Sequence, residues 1–81
     1  MPLSQQQLMW RCRRGVRELD VLFERFVRAH YPTLSIELQD AFIRFTAEQD
    51  PVIMDWLFAK TEPEDPDYRS LINIMRDQAG L

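Results

Sequence analysis

The chain has 81 residues, 28% of them charged and 46% hydrophobic, so we expect one domain, residues 1–81, around a small core. Its two glycines exclude a glycine-rich phosphate loop and argue against an all-β fold, whose turns need more glycine. Its single cysteine excludes an internal disulfide, and with one histidine it cannot build a zinc site. No apolar run approaches the ~20 residues of a membrane helix, and the start lacks a secretory pattern. We therefore expect a cytoplasmic protein without membrane insertion.

Charge is unevenly distributed along the chain. Residues 1–30 contain six arginines and three acidic residues, whereas residues 31–81 contain four basic and ten acidic residues. The whole chain therefore carries a net charge of −3. Nine of the ten basic residues are arginine, the side chain favoured for forked contacts to carboxylates and phosphates. A net acidic chain is a poor general binder of nucleic acid, but a local basic patch still suits an anionic partner.

The first two predicted helices lie in the basic third. Ser4 and Gln7 have the spacing of a capping box, which opens a helix that runs to about Arg13. A second helix is predicted over about residues 15–30, because apolar residues recur there at three- and four-residue spacing. Pro32 ends it, since the residue before a proline avoids helical geometry.

The third and fourth predicted helices follow directly. Ser35 is predicted to cap a helix that runs to about Gln49. Asp50 and Pro51 are predicted as the N-cap and first residue of a fourth helix, which ends near residue 60.

The fifth predicted helix repeats this cap pattern. Asp65 precedes Pro66 at its start, the helix runs to about Ala79, and Gly80 is predicted to close it. Five short helices with short connections predict a small all-α bundle. The apolar residues expected to face its core are Val16, Leu19, Leu22, Phe23, Phe26, Val27, Leu38, Ala41, Phe42, Phe45, Val52, Ile53, Trp56, Leu57, Leu71, Ile72 and Met75.

One segment combines arginine, glycine and acidic residues between the first two helices. This arginine–glycine segment, residues 10–20, reads Trp-Arg-Cys-Arg-Arg-Gly-Val-Arg-Glu-Leu-Asp. Gly15 lets the backbone turn and lets a partner approach without meeting a Cβ atom. Arg14 and Glu18 share one face if helical geometry continues across the joint. Three interpretations stay open at this point: a solvated helix corner, a docking surface for an anionic or carboxylate-bearing partner, and a nucleic-acid site.

The remaining polar and reactive residues favour structural roles. Most of the tryptophans and phenylalanines are expected in the core, and Cys12 is expected to be a small buried apolar residue. His30 fits a packed helix end better than a general base or a metal ligand. The acidic stretch 62–67 lacks the spacing and glycine of a calcium loop and is expected to be a solvated loop with capping roles. No arrangement of catalytic side chains is recognisable, so we expect neither an enzyme nor a metal site.

The arginine–glycine segment resembles the signature of the bacterial SdhE proteins, the succinate dehydrogenase flavinylation factors, and of their mitochondrial relatives. The centre of that signature is Arg-Gly-x-x-Glu, here Arg14, Gly15 and Glu18. A second block, Asp50-Pro51 followed by residues 55–57 (Asp-Trp-Leu), also resembles this family. The likeness covers residues 10–60, with valine at position 16 where the family often has methionine.

The resemblance implies a five-helix assembly factor rather than an enzyme. Such a protein promotes covalent attachment of FAD to the flavoprotein subunit of succinate dehydrogenase and, in some bacteria, of fumarate reductase. The chemistry belongs to the flavoprotein and its flavin. The small protein is expected to hold the flavoprotein in attack geometry and to bind no cofactor stably. The residues leave the oligomeric state open, with a monomer as the default expectation.

The resemblance also implies roles for individual residues. Gly15 is expected to permit close backbone contact at the entrance to the flavin site. Arg14 is expected to donate a forked pair of hydrogen bonds to the partner, and Glu18 to orient Arg14 or accept from the partner. Asp20 is expected to support the corner. The expected basic surface is extended by Arg11, Arg13 and Arg17.

The alternative is a small nucleic-acid-binding or antitoxin-type module that uses the same arginines. It predicts RNA or DNA binding that weakens steeply with salt. Nucleic-acid readers usually add exposed aromatic residues or a polar recognition helix, whereas the second helix here is predicted to bury its aromatic residues.

Overall fold

The protein, described here by a computed structural model, is all-α over residues 5–81, the part of the chain that the structure describes. No strand occurs in that part, so the predicted fold class is confirmed. The helices are α1 (Gln5–Arg11), α2 (Arg17–Ala29), α3 (Ile36–Phe45), α4 (Asp50–Leu57) and α5 (Pro66–Ala79), with a 3-10 turn at Tyr31–Thr33 between α2 and α3.

The predicted local capping signals are confirmed where the structure describes them. The Ser35 hydroxyl accepts from the backbone N–H of Leu38 at 3.2 Å, and the Asp65 carboxylate accepts from that of Asp67 at 2.8 Å. Gly80 closes α5 in the left-handed region, with φ +76°. Each of these signals acts on backbone groups within a few residues of its own side chain. The capping box predicted at Ser4 lies outside the described residues.

Several predicted boundaries are wrong around the joint between α1 and α2. The first helix ends at Arg11 instead of Arg13, and the second begins at Arg17 instead of Gly15. The third helix ends at Phe45 instead of Gln49. At all three ends, residues 12–16 and 46–48 form turns instead of helix, and the Arg14 side chain in the first turn donates to the carbonyls of Thr46 and Glu48 in the second.

The predicted N-cap of α4 is also wrong. Gln49 occupies the cap position without a side-chain hydrogen bond, and Asp50 is the first helical residue. The Asp50 carboxylate instead bonds to Arg14 and to the backbone N–H of Val16. A side chain that seemed to serve its own helix therefore joins two distant segments of the chain.

Four phenylalanines form the centre of the core. Phe23 and Phe26 of α2 meet Phe42 and Phe45 of α3, and the Phe26 and Phe42 rings stack with centroids 4.8 Å apart. All four side chains are fully buried. The core prediction fails at Val52, which is 38% exposed because it lies on the outer face of α4. The other fully buried large side chains are Leu8, Leu19, Val27, Ile53, Leu71 and Met75.

The helices of residues 5–81 are all too short or too polar to cross a membrane.

Candidate partner-docking site

The arginine–glycine segment turns sharply between α1 and α2 instead of continuing as a helix. The backbone N–H of Cys12 closes α1 on the Leu8 carbonyl at 3.0 Å. The backbone N–H of Arg14 then donates to Asp20 Oδ1 at 2.7 Å. Asp20 therefore supports the corner, as the sequence predicted, by satisfying a backbone donor that has no helical partner.

The Arg14 side chain ties this corner to the turn between α3 and α4. Its Nε donates to Asp50 Oδ1 at 2.7 Å, its Nη1 to the Thr46 carbonyl at 2.7 Å and its Nη2 to the Glu48 carbonyl at 2.5 Å. The guanidinium also lies over the Phe23 ring, with Cζ 5.3 Å from the centroid. Only 8% of the side chain is exposed. Arg14 therefore acts as an internal cross-link, because its planar guanidinium donates to three acceptors at once.

This arrangement changes the role that the sequence assigned to Arg14. The forked hydrogen bonds expected toward a partner are made inside the chain. Glu18 does not orient Arg14, because α2 begins only at Arg17 and the two residues do not share a helical face. Asp50, 36 residues away, takes that orienting role.

Asp50 completes the cross-link from the other side. Its Oδ1 accepts from Arg14, and its Oδ2 accepts from the backbone N–H of Val16 at 3.0 Å. Burial alone would raise the pKa of this carboxyl group. The hydrogen bonds from Val16 and Arg14, with the charge of the guanidinium, outweigh burial and hold the pKa of Asp50 below its ordinary value. The ionised carboxylate is therefore the form that the fold stabilises.

Gly15 lies at the exposed edge of this cross-link. A Cβ atom at Gly15 would be 3.6 Å from Asp50 Oδ2, which is ordinary van der Waals contact. Gly80, and not Gly15, is the glycine with positive φ in the described part of the chain. The turn itself therefore does not require glycine at position 15, contrary to one of the two roles predicted for it. Its other predicted role, the close approach of a partner, stays a prediction.

Four of the other predicted docking residues are exposed on either side of Gly15 in the sequence. Arg13 stacks on Trp10, with its Cζ 5.8 Å from the ring centroid. Within residues 5–81, no hydrogen bond or ion pair engages the side chains of these residues. The exposed set comprises Arg11, Arg13, Arg17 and Glu18.

Cys12 of the same segment is buried, and its thiol is expected to be unreactive. It is 3% exposed and belongs to the same apolar cluster as Leu8 and Leu19. Burial raises the pKa of its thiol to about 12, an effect that Arg14 opposes and Asp20 reinforces. The thiolate that a nucleophile or metal ligand needs is therefore disfavoured. The described residues contain no group of three or more potential metal-ligating side chains.

Two residues of the site were missed by reasoning on periodicity. Asp50 was assigned to a local cap, although it opens the second sequence block that resembles the SdhE proteins. Trp10 was grouped with aromatic residues expected mostly in the core, yet 72% of it is exposed. Its position at the start of the arginine–glycine segment was the available signal.

Comparison with known proteins decides the family. The family model described as flavinator of succinate dehydrogenase matches residues 6–79. The chain belongs to this family. Similar proteins include the FAD assembly factors SdhE of Coxiella burnetii, 34% identical over 71 residues, and of Pseudomonas aeruginosa, 37% identical over 73 residues. These alignments cover 88% and 90% of this chain and 87% of each relative.

The match to the SdhE family includes both halves of the cross-link. Arg14 and Asp50 both fall within the matched residues 6–79, as does the whole exposed surface around Gly15. Members of this family are assembly factors for FAD. The family assignment favours the flavoprotein-directed interpretation of the arginine–glycine segment over the nucleic-acid one.

Proposed function

We propose that this SdhE protein binds the flavoprotein subunit of succinate dehydrogenase, fumarate reductase or both, and promotes covalent attachment of their FAD. It acts in the cytoplasm as a monomer, contributes no catalytic group and binds neither FAD nor nucleic acid stably. One observation carries the proposal: a glycine that the fold does not require lies among exposed arginines whose side chains form no hydrogen bond or ion pair within residues 5–81.

Rigid support behind this surface favours a positioning role. Arg14 and Asp50 fix the turn from both sides, so Gly15 presents its backbone at a defined place. Holding reacting groups in attack geometry lowers a barrier by several kcal/mol without supplying any chemistry. A small protein can therefore accelerate flavin attachment by fixing the orientation of the flavoprotein domains alone.

The charges of the surface favour fast encounter with an acidic partner. Arg17 is the first residue of α2, where a positive charge opposes the helix dipole. A residue that is unfavourable for its own helix is a typical sign of a functional surface. We infer that Arg11, Arg13 and Arg17 steer the flavoprotein toward Gly15, and that Glu18 accepts a hydrogen bond from it.

The test measures covalent flavin on the flavoprotein subunit in a strain that lacks the native gene. In-gel flavin fluorescence reports the amount attached. We expect Gly15→Arg to lower attachment by about tenfold or more, because the new side chain blocks close approach. We expect Glu18→Ala to lower it several-fold.

Two control variants separate docking from folding. Glu37→Ala removes another exposed glutamate from the first turn of a helix and should leave attachment unchanged. Gly15→Ala adds the single Cβ that the fold tolerates, so its folding should match the parent. The assignment is wrong if folded Gly15→Arg and Glu18→Ala proteins both support full attachment.

Binding to nucleic acid is tested separately. Phe23 and Phe26 of α2 are buried and unavailable for base stacking, whereas Trp10 of the arginine–glycine segment is 72% exposed, so binding has to be measured directly. We expect the purified protein not to bind RNA or DNA. Binding that weakens steeply with salt would support the nucleic-acid alternative instead. Stoichiometric flavin in the purified protein would contradict the proposed lack of a stable cofactor.

A further inference from the structure

An apolar groove lies on one side of α2 and begins at Glu18, close to the arginine–glycine segment. It has a volume of about 370 Å³ and lies between α2, the end of α4 and the end of α5. Val21 is 48% exposed, Phe58 54% and Leu81 52%. These exposed apolar side chains meet in one place rather than being scattered over the surface. Clustered apolar exposure of this kind marks an interaction site.

The groove carries opposite charges at two points along α2. Glu18 and Arg25 both line it and are both exposed. They are seven residues apart, two helical turns, so they lie on the same face about 10 Å from each other. Neither forms an ion pair within residues 5–81. An occupant with a cation near Glu18 and an anion near Arg25 therefore fits the groove in one direction only.

The size of the groove shows what kind of interface it serves. Ten residues line it, whereas a stable protein interface takes roughly 20–30 residues from each side. The groove is therefore too small to hold two copies of this chain together by itself. It shares Glu18 with the docking surface around Gly15, so it extends that surface rather than forming a separate one.

We propose that this groove receives an apolar segment of the flavoprotein subunit, flanked by a basic residue that meets Glu18 and an acidic residue that meets Arg25. The inference rests on the proposed function, because it takes the flavoprotein as the partner. The groove adds apolar contact from several side chains to the arginine-rich surface, and the two charges set the direction of the bound segment.

The experiment measures the affinity of this protein for the purified flavoprotein subunit of succinate dehydrogenase by titration calorimetry. Val21→Glu and Phe58→Ser are expected to weaken binding by about tenfold or more, since each puts a polar group into the apolar contact. Both positions are half-exposed, so the fold should persist. Ile36→Glu is the matched control, because Ile36 is 72% exposed and lies outside the groove.

Charge reversal tests the direction of the bound segment. Glu18→Arg and Arg25→Glu should each weaken binding several-fold, and the double reversal should bind more weakly than either single variant. In a symmetric pair of copies, Glu18 of each copy would face Arg25 of the other, so the double reversal would restore association. Sedimentation that shows self-association lost in the single variants and restored in the double variant would overturn the proposal.

The outcomes distinguish the groove from the proposed function. Unchanged flavoprotein affinity in Val21→Glu and Phe58→Ser, with binding still lost in Gly15→Arg, rejects the groove and retains the docking surface. Unchanged affinity in Gly15→Arg and Glu18→Ala together with full flavin attachment rejects the proposed function itself. Loss of affinity in Ile36→Glu equal to that in Val21→Glu also rejects the groove, because the effect would then not be specific to it.

Discussion

At the scale of single residues, Arg14 belongs to the family motif but makes its hydrogen bonds inside the chain. Its guanidinium satisfies the carbonyls of Thr46 and Glu48 and the carboxylate of Asp50, while its own charge is largely buried. Removing one member of such a group leaves the others without partners in a place that water reaches poorly. A change at Arg14 is therefore expected to act on folding before it acts on a partner.

Arg14→Ala is expected to lower the free energy of unfolding by about 2–4 kcal/mol, from lost charge-assisted hydrogen bonds and an unpaired Asp50. That is a large share of the roughly 4–12 kcal/mol available to a chain of this length. Urea denaturation followed by circular dichroism measures the change. Arg14→Lys should recover part of the loss, because it keeps the charge but not the fork.

Arg28 provides a matched control for this prediction. It also pairs with an acidic residue, Glu24, at 3.1 Å, but 69% of its side chain is exposed. Such a surface pair contributes at most about 0.5 kcal/mol. Equal destabilisation by Arg28→Ala and Arg14→Ala would contradict the internal role of Arg14.

At the scale of helices, the start of α2 depends on a side chain from another helix. Val16 stands at the N-cap position and offers no side-chain acceptor. Asp50 of α4 accepts the Val16 N–H instead. The residue that precedes α2 is thus tied to α4 by a hydrogen bond.

This contact predicts a pH dependence of stability. The pKa of Asp50 is lower in the folded protein than in the unfolded chain, so the folded state binds fewer protons near that pKa. Its contribution is fully present above the unfolded value of about 3.9 and is lost as pH falls through the folded pKa. Asp50→Asn should be less stable than the parent at neutral pH, and the difference should shrink below about pH 4. Urea denaturation at a series of pH values measures both, and a difference that stays constant across this range would contradict the assignment.

Features of the fold that depend on residues close together in the chain were predictable from the sequence. The caps at Ser35, Asp65 and Gly80 follow from contacts within a few positions, and the burial of Phe23 and Phe26 follows from helical spacing. Helix ends next to residues 12–16 and 46–48 could not be predicted in this way. They depend on hydrogen bonds between segments that are more than thirty positions apart.

In the candidate site too, features that depend on nearby residues were predictable, whereas a contact between distant residues was not. Exposure of Arg11, Arg17 and Glu18 agrees with the motif, and the corner role of Asp20 is confirmed. The partner of Arg14 was not predicted, because an aspartate before a proline is a common helix start. Asp50 is therefore ambiguous in sequence, and only the folded arrangement assigns it to Arg14.

At the scale of the whole molecule, the two sequence blocks that resemble SdhE are joined by the Arg14–Asp50 contact, and they pack on one hydrophobic core. Leu8 in the middle of α1 and Cys12 directly after this helix belong to the same buried cluster as the phenylalanines of α2 and α3. The segment that carries the proposed docking surface therefore depends on that core for its structure. Any change that loosens the core is expected to loosen the surface as well.

The thiol of Cys12 offers a measurement of this coupling. It is 3% exposed and burial raises its pKa to about 12, so the reactive thiolate and the access of a reagent are both disfavoured in the folded protein. Alkylation followed by mass spectrometry should be much slower in the folded protein than in concentrated urea. Arg14→Ala should accelerate it by about tenfold for each 1.4 kcal/mol of lost stability, because the open population depends exponentially on free energy, although losing the arginine charge raises the thiol pKa and alone would slow it. An unchanged rate in a destabilised Arg14→Ala protein would show that Cys12 becomes accessible through local opening that does not involve the cross-link.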